Sequence, residues 1–371
     1  MTGESIFDGN MAGGAIRIGD TPLSISVYSV EKAPTRIHDK GMLEIIFCLK
    51  GSVRFSYAYE EFTLHAGEYI SVDKDAYYLY DGRDNLCVSF YFDLTRYTDK
   101  YPFICNNLFV CEGLAETTMR YPTSEHRRLK GMMIALLKYI RSQAGEKSSS
   151  SLTVGGACAD STSAKDISAD SLYGGVLSAV AFPADVAKTV SKAAEEIVDL
   201  FVEYFDVFFF HAGDGAGRNT ENLRKLHKVN DYMHSHMKEK VTVGDLAREL
   251  NFTEGYMSEY LRKVSVGFSG MLNYIRANAS EHLLLKTNKK ILEIAEDCGF
   301  SDVKYYYSAF RRWYKCTPRQ FRERYGRAQE ERITYLDMAT VDGVLDGLLV
   351  EHYMDIFLPR TEKRIIQDKV W

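Results

Sequence analysis

Residues 289–314 read KKILEIAEDCGFSDVKYYYSAFRRWY, and they decide the fold because residues 241–264, VTVGDLARELNFTEGYMSEYLRKV, carry the same pattern about fifty residues earlier. Each copy starts with apolar residues at helical spacing: Val243, Leu246, Ala247 and Leu250, then Ile291, Ile294, Ala295 and Cys298. Each then reaches a tight turn at Asn251 or Gly299, the residue types that best tolerate left-handed backbone. A capping residue follows, Thr253 or Ser301, and then an acid, Glu254 or Asp302, suited to the positive end of a new helix. The pattern is a helix-turn-helix, written twice.

The second helix of each unit divides into two faces. Met257, Leu261 and Val264 are inward in the first, and Tyr306, Ala309, Phe310 and Trp313 in the second. The outward set is Gly255, Ser258, Glu259, Arg262 and Lys263, then Val303, Lys304, Tyr305, Ser308, Arg311 and Arg312. Those faces have the chemistry of major-groove readers, since Lys and Arg bond guanine or phosphate while Ser and Glu address other base edges. One basic helix face is ordinary solvated surface. Two complete units joined by a helix, Phe268 to Leu285, point to duplex DNA, where successive major-groove faces recur roughly every 34 Å.

Charge is segregated to match. Residues 222–327 hold 20 Lys and Arg against 12 Asp and Glu, a net of +8, so the rest of the chain carries −13 within the overall −5. A basic block attached to an acidic partner is expected of a DNA-binding domain joined to a regulatory one.

The run from Leu226 to Gly326 resembles the double helix-turn-helix domain of the AraC/XylS family of bacterial transcription regulators, including the linker helix YIRANASEHLLLKTN and the ending AEDCGFSDVKYYYSAFRRWYKCTPRQFRERYG. The resemblance implies that helices 254–264 and 302–314 insert into DNA, with Gly299, Phe300, Phe310, Thr317, Pro318 and Phe321 as structural skeleton. The chain departs from the family at Glu259, where a basic residue is more usual. Tyr307 and Ser308 replace the usual Ser and Arg, and the alanines and Ser280 of the linker helix replace charged residues. The base preference is therefore this chain's own.

Residues 23–94 change pattern every five to ten residues: LSISVYS, LEIIFCLKGSVRFSYAY, EFTLHAGEYISV, AYYLY and LCVSFYF, punctuated at Lys50-Gly51, Ala66-Gly67 and Asp81-Gly82. This is the signature of short antiparallel strands joined by turns. The stretch from Pro34 to Val72 resembles the cupin sensor barrel found in many members of that family. Metal cupins take two histidines and a glutamate from the first motif and another histidine from the second. Here His38 and Glu44 occupy such places, Lys40 stands where the second histidine would be, and AYYLYDG has none, so no metal or other cofactor is expected. Tyr28, His38, Glu44, Phe55 and Tyr57 are the candidate effector-binding residues, their aromatic faces suiting a sugar-like ligand, with ordinary packing as the competing role.

Between the two lie helical patterns, the first through Met132, Met133, Leu136, Leu137 and Ile140, the second opening at Pro183 and running through Val186, Val190, Ala193, Ile197 and Leu200. The second stripe serves either the chain's own core or a dimer seam. Residues 142–176 are Ser/Gly-rich and read as an insertion. The G-x-G-x-G in HAGDGAGRNTEN lacks the strand and helix of a phosphate loop and reads as a linker. Ile333, Leu336, Val341, Val344, Leu345, Leu348, Leu349, Tyr353 and Phe357 form a helical stripe in the tail.

At 371 residues, 46% hydrophobic and 26% charged, the chain is expected to fold as two or three domains. Seven cysteines without CxxC spacing read as reduced thiols rather than a zinc or disulfide framework. The longest apolar candidate, Phe201 to Phe210, is broken by Glu203 and Asp206, and MTGESIFDGNMAGG has no secretory pattern, so a cytoplasmic protein with no membrane partner is expected.

The expected architecture is thus an α+β multidomain chain: a cupin-like antiparallel β-barrel sensor (1–115), a helical linker and dimerisation region (116–221), an all-α double helix-turn-helix (222–327) and a helical extension (328–371). The expected function is AraC-type transcription regulation by a homodimer that binds promoter DNA, responds to a small-molecule effector and meets RNA polymerase; it is not an enzyme. The alternatives are a cupin metalloenzyme, an isomerase or oxygenase with an accessory basic domain, and an interaction module with protein partners.

Overall fold

A computed structural model describes residues 15–33, 35–38, 40–57, 60–73, 76–114, 124–145, 178–180, 182–206, 220–326 and 332–357. Its N-terminal half is a sheet of strands β1 (Ile16–Ile18), β2 (Leu23–Lys32), β3 (Met42–Tyr57), β4 (Glu60–His65), β5 (Tyr69–Val72), β6 (Tyr77–Asp93), β7 (Glu112–Gly113) and β8 (Ser178–Val180), joined by β9 (Arg332–Tyr335). The strands run in the order β7-β5-β3-β6-β2-β1-β8, with β4 on β3 and β9 on β2. Pairing is antiparallel except between β1 and β8.

Two of the three expected turns are not turns. Lys50-Gly51 and Asp81-Gly82 lie inside β3 and β6, which pair with each other along 42–57 and 77–93 through three register shifts. Gly51 has φ +69, and a Cβ there would meet the Asp84 and Arg83 carbonyl oxygens at 2.3 and 2.4 Å. The turn-type residues make bulges that bend long strands, so AYYLY and LCVSFYF are one strand rather than two. Ala66-Gly67 does turn the chain between β4 and β5.

Both faces of β3 are buried, which is why its sequence reads as a nearly continuous apolar run. Leu43, Ile45, Phe47 and Leu49 face one core, shared with helices α1 (Ser124–Gly145) and α2 (Ala184–Leu200). Ile46, Cys48, Val53 and Phe55 face a second core with Tyr28, Leu64, Tyr77 and Leu79. Val186, Val190, Ala194, Ile197 and Leu200 of α2 are all buried in the first core, so the stripe is occupied within the protomer. The insertion from residue 146 on and the linker at 207–219 lie outside the described residues.

The C-terminal half is helical: α3 (Thr220–Ser235), α4 (Val243–Glu249), α5 (Glu254–Val264), α6 (Gly267–Lys286), α7 (Ile291–Asp297), α8 (Val303–Tyr314) and α9 (Pro318–Tyr325). The two helix-turn-helix units have separate cores, and α6 contributes to both: Met271, Leu272 and Ile275 to the first, Ala277 and Leu284 to the second. The second core also takes in Ile37 and Ala76 from the sheet domain.

After α9 the chain returns to that domain. Strand β9 adds to β2 with Tyr28 opposite Tyr335 and Val30 opposite Ile333, and the Leu336 amide donates to the Val27 carbonyl at 2.9 Å. Met338, Val341, Leu345 and Leu348 then bury in the first core, the last two from α10 (Asp342–Phe357), which packs along α1. The expected helical stripe therefore begins one element too early: Ile333 lies in a strand. Among the described residues no helix is long and apolar enough to cross a membrane.

Candidate nucleic-acid interface

The turn of the first unit holds Asn251 at φ +59, that of the second Gly299 at φ +85. A Cβ on residue 299 would stand 2.2 Å from the Met237 carbonyl oxygen, so the second turn packs too closely for any side chain. Thr253 caps α5, accepting from the Tyr256 amide at 3.2 Å. In the second unit the cap is not Ser301 but Asp302, whose carboxylate accepts from the Lys304 amide at 2.7 Å. Serine and aspartate are equally good caps, and here the backbone path turns the Asp302 carboxylate toward that amide.

Met257 and Leu261 bury fully beneath α5, joined by Tyr260. Tyr306, Ala309, Phe310 and Tyr314 bury beneath α8, while Trp313 is half-buried against Tyr274. The Tyr306 hydroxyl donates to Ser280 Oγ of α6 at 2.9 Å, which gives that linker serine a structural part. The Val264 side chain lies outside the described residues.

Of the outward set, Gly255, Glu259, Arg262, Lys263, Lys304, Tyr305, Ser308, Arg311 and Arg312 are exposed, and Ser258 and Val303 are half-buried. Among the described residues nothing covers either reading face. Glu259 and Lys263 form an exposed pair at 2.8 Å, the lysine holding the carboxyl below its usual range, so this acid and base offset each other. Arg262, Lys304, Arg311 and Arg312 make no ion pair among the described residues, and Arg312 rests over the Trp313 ring at 5.3 Å.

Residue-type reasoning missed an aromatic ladder beside α5. Phe252 and Tyr256 are 37% and 43% exposed, and the rings of Phe252, Tyr256 and Tyr260 follow one another at 5.0 and 6.0 Å. Lys225 of α3 sits about 5 Å from all three and donates to the Tyr256 hydroxyl at 2.6 Å. The available signal was position: with the caps at Thr253 and Asp302, Tyr256 and Tyr305 are both the third residue of their reading helices.

The candidate effector residues are brought together, but as a packed cluster. His38 Nε2 lies 2.7 Å from Glu44 Oε2, and the Tyr77 hydroxyl donates to the same oxygen. Phe55 stacks on Tyr77 at 5.5 Å, and Tyr28 bonds Ser89 Oγ at 2.9 Å. Burial alone would raise the Glu44 carboxyl, but the His38 hydrogen bond and charge, with Arg36, hold it down to about 2. The Tyr335 hydroxyl accepts from Arg36 at 3.2 Å, and its ring meets Tyr28 edge-on, so the returning strand closes one side of the cluster. The Tyr57 side chain lies outside the described residues. Among the described residues no group of three or more His, Cys, Asp or Glu is placed to hold a metal.

Open space lies instead at the junction of the two halves. A cavity of about 460 Å³ is lined by Ile37, His38 and Lys40 before β3, by Ile275 and His282 of α6, and by Met237. Beside it Glu281 of α6 accepts from the Ala76 amide at 2.9 Å and from the Tyr314 hydroxyl of α8. One carboxylate thus links sheet domain, linker helix and second reading helix. On the other side, α3 is tied down by Asn230 donating to the Asn106 carbonyl at 2.7 Å, and by His227 against Asp206 at 2.7 Å and stacked on Phe103 at 3.7 Å.

Residues 246–324 match a family described as a helix-turn-helix domain. Regulatory protein PocR of Salmonella typhimurium is 28% identical over 105 residues, covering 28% of this chain and 35% of PocR. A transcriptional regulator of Chromobacterium violaceum, solved with an AraC-type DNA-binding domain, is 24% identical and covers 29% of this chain and 98% of that one, with a TM-score of 0.28. ToxT of Vibrio cholerae, solved with an unsaturated fatty acid bound, is 16% identical and covers 85% of this chain and all of that one, with a TM-score of 0.39. The chain spans little more than a third of the length of the curated relatives, 35% of PocR and 38% of the Msm operon regulatory protein of Streptococcus mutans. The C-terminal region is an AraC-type helix-turn-helix domain, the DNA-binding kind found in transcription regulators.

Proposed function

We propose that the whole chain is a sequence-specific transcription regulator that grips promoter DNA through α5 and α8 and is controlled by a small molecule acting on the sheet domain. The observation that carries this reading is the pair of exposed reading faces, on which four cations make no ion pair among the described residues. Ser258, Glu259 and Lys263 in the first unit, and Val303, Tyr305 and Ser308 in the second, complete the base-facing sets around Gly255, where an added Cβ would meet nothing within 4 Å.

Phosphate neutralisation releases condensed counterions, so affinity falls with salt with a slope of about −0.9 per contacted phosphate. Replacing Arg311 and Arg312 together by alanine is expected to flatten that slope by up to about 2 in a gel-shift titration. A slope and affinity indifferent to both substitutions would sink the assignment of α8 to DNA.

The effector is best accommodated in the cavity between the sheet and α6 rather than inside the Tyr28-Glu44-Phe55 cluster, which is filled by its own side chains. His38 belongs to both, and a ligand there would act on the elements that orient α8. A ligand can shift DNA affinity only as far as it prefers one arrangement of the halves. Ile275→Phe, which occupies the cavity, is expected to abolish the thermal shift that an effector gives the parent protein. On this reading the chain acts in the cytoplasm, pairs with a second copy and meets RNA polymerase at the promoter; the α2 stripe, being buried, is not the pairing surface.

A further inference from the structure

The side chains of Lys225 and Tyr256 pose a proton question. The Lys225 ammonium donates to the Tyr256 hydroxyl at 2.6 Å, so that oxygen is already an acceptor, and the phenolic proton must point elsewhere. Among the described residues nothing accepts it, and the side chain is 43% exposed at the third position of α5. The ammonium itself lies 4.9 to 5.1 Å from the three stacked rings, which hold it in one place on the surface. A fixed cation, an outward O–H and the positive end of an eleven-residue helix thus meet at one point.

We infer that Lys225 and Tyr256 form a clamp for one phosphate of the DNA backbone, the phenol donating its proton to a phosphate oxygen and the ammonium supplying charge behind it. This rests on the DNA-binding reading and adds to it a contact from α3, outside the helix-turn-helix itself. Backbone contacts of this kind fix the register of a reading helix without choosing a base. Phe252 and Tyr260 are positioning residues, since their rings seat the ammonium. Tyr305, 64% exposed at the same position of α8, has no lysine over its ring among the described residues, so the clamp is assigned to the first unit.

The test uses the full chain and a labelled 30-base-pair duplex of mixed sequence, because non-specific binding is carried by phosphate contacts and needs no known operator. Tyr256→Phe keeps the ring stack and removes only the hydroxyl. It is expected to weaken binding about five- to tenfold at fixed salt, with an unchanged unfolding temperature. Lys225→Gln is expected to lower the salt slope by about 1, and Lys225→Arg to restore it. Unchanged affinity in Tyr256→Phe, or a Lys225→Gln loss at unaltered slope, would overturn the clamp and leave a mere staple between α3 and α5. If either occurs while Arg311→Ala and Arg312→Ala still weaken binding, the clamp falls and the DNA-binding reading stands. A parent protein that binds no duplex removes both.

Discussion

Leu345→Ala tests whether the segment after the DNA-binding domain is an integral part of the sheet domain. Leu345 is 2% exposed in a core shared with α1, α2 and one face of the sheet, and it reaches that core from a helix that follows β9. Truncating a leucine so placed removes its transfer free energy and leaves a partly relaxed cavity, about 3 kcal/mol in all. For a unit of this size that is a drop of roughly 6 to 12 °C in unfolding temperature. The pairs Lys138–Asp346 at 2.9 Å and Arg141–Asp342 at 3.0 Å join the same elements, but they are too exposed to contribute more than about 1 kcal/mol each. Val350→Ala, on the same helix but 64% exposed, is the control and is expected to change stability by less than about 0.5 kcal/mol. Thermal unfolding followed by circular dichroism gives the size of the effect, and hydrogen exchange gives its location. Protection should fall together in β2, β9 and α1. Loss confined to α10, or a midpoint within a degree or two of the parent, would show that the tail is appended to the domain and not built into it.

Gly299→Ala should cost at least 3 kcal/mol, because it combines a left-handed backbone with a clash against the Met237 carbonyl, whereas Asn251→Gly should change little; urea unfolding of the two variants separates them. The Glu44 carboxyl is held at about 2, below its ordinary 4.5, so its contribution to stability is complete above about pH 4.5 and is lost as pH falls toward 2. Denaturation midpoints between pH 2 and 6 should therefore drop in the parent protein. Glu44→Gln should lack that component, at a cost of about 3 kcal/mol at neutral pH for the buried His38 left without its carboxylate.

The helix-turn-helix units were legible because every determinant is local. Apolar spacing, a residue that accepts positive φ and a capping group lie within about a dozen residues, and the charge of the block is additive. The cap of α8 was misplaced by one because Ser301 and Asp302 are both competent, and only the backbone path decides which oxygen faces the Lys304 amide. Lys225 escaped notice for a different reason: it lies 31 positions from Tyr256, and no periodicity relates them.

The sheet domain was legible in composition but not in connection. Gly51 and Gly82 signal a departure from regular backbone, and whether that departure is a turn or a bulge depends on the partner strand, which for β3 is β6 some thirty residues away. The effector residues show the same limit, since Tyr28, His38, Glu44 and Phe55 do converge, yet Tyr77, Arg36 and Tyr335 complete the cluster and leave the open space outside it. By itself the amino-acid sequence determined the two helix-turn-helix units, their outward residues and the segregation of charge, all set by neighbours along the chain. Tertiary structure alone decided that the tail completes the first domain, that Glu281 joins the two halves and that a cavity lies between them. Those features depend on long-range pairings whose side chains are chemically ordinary until the fold brings them together.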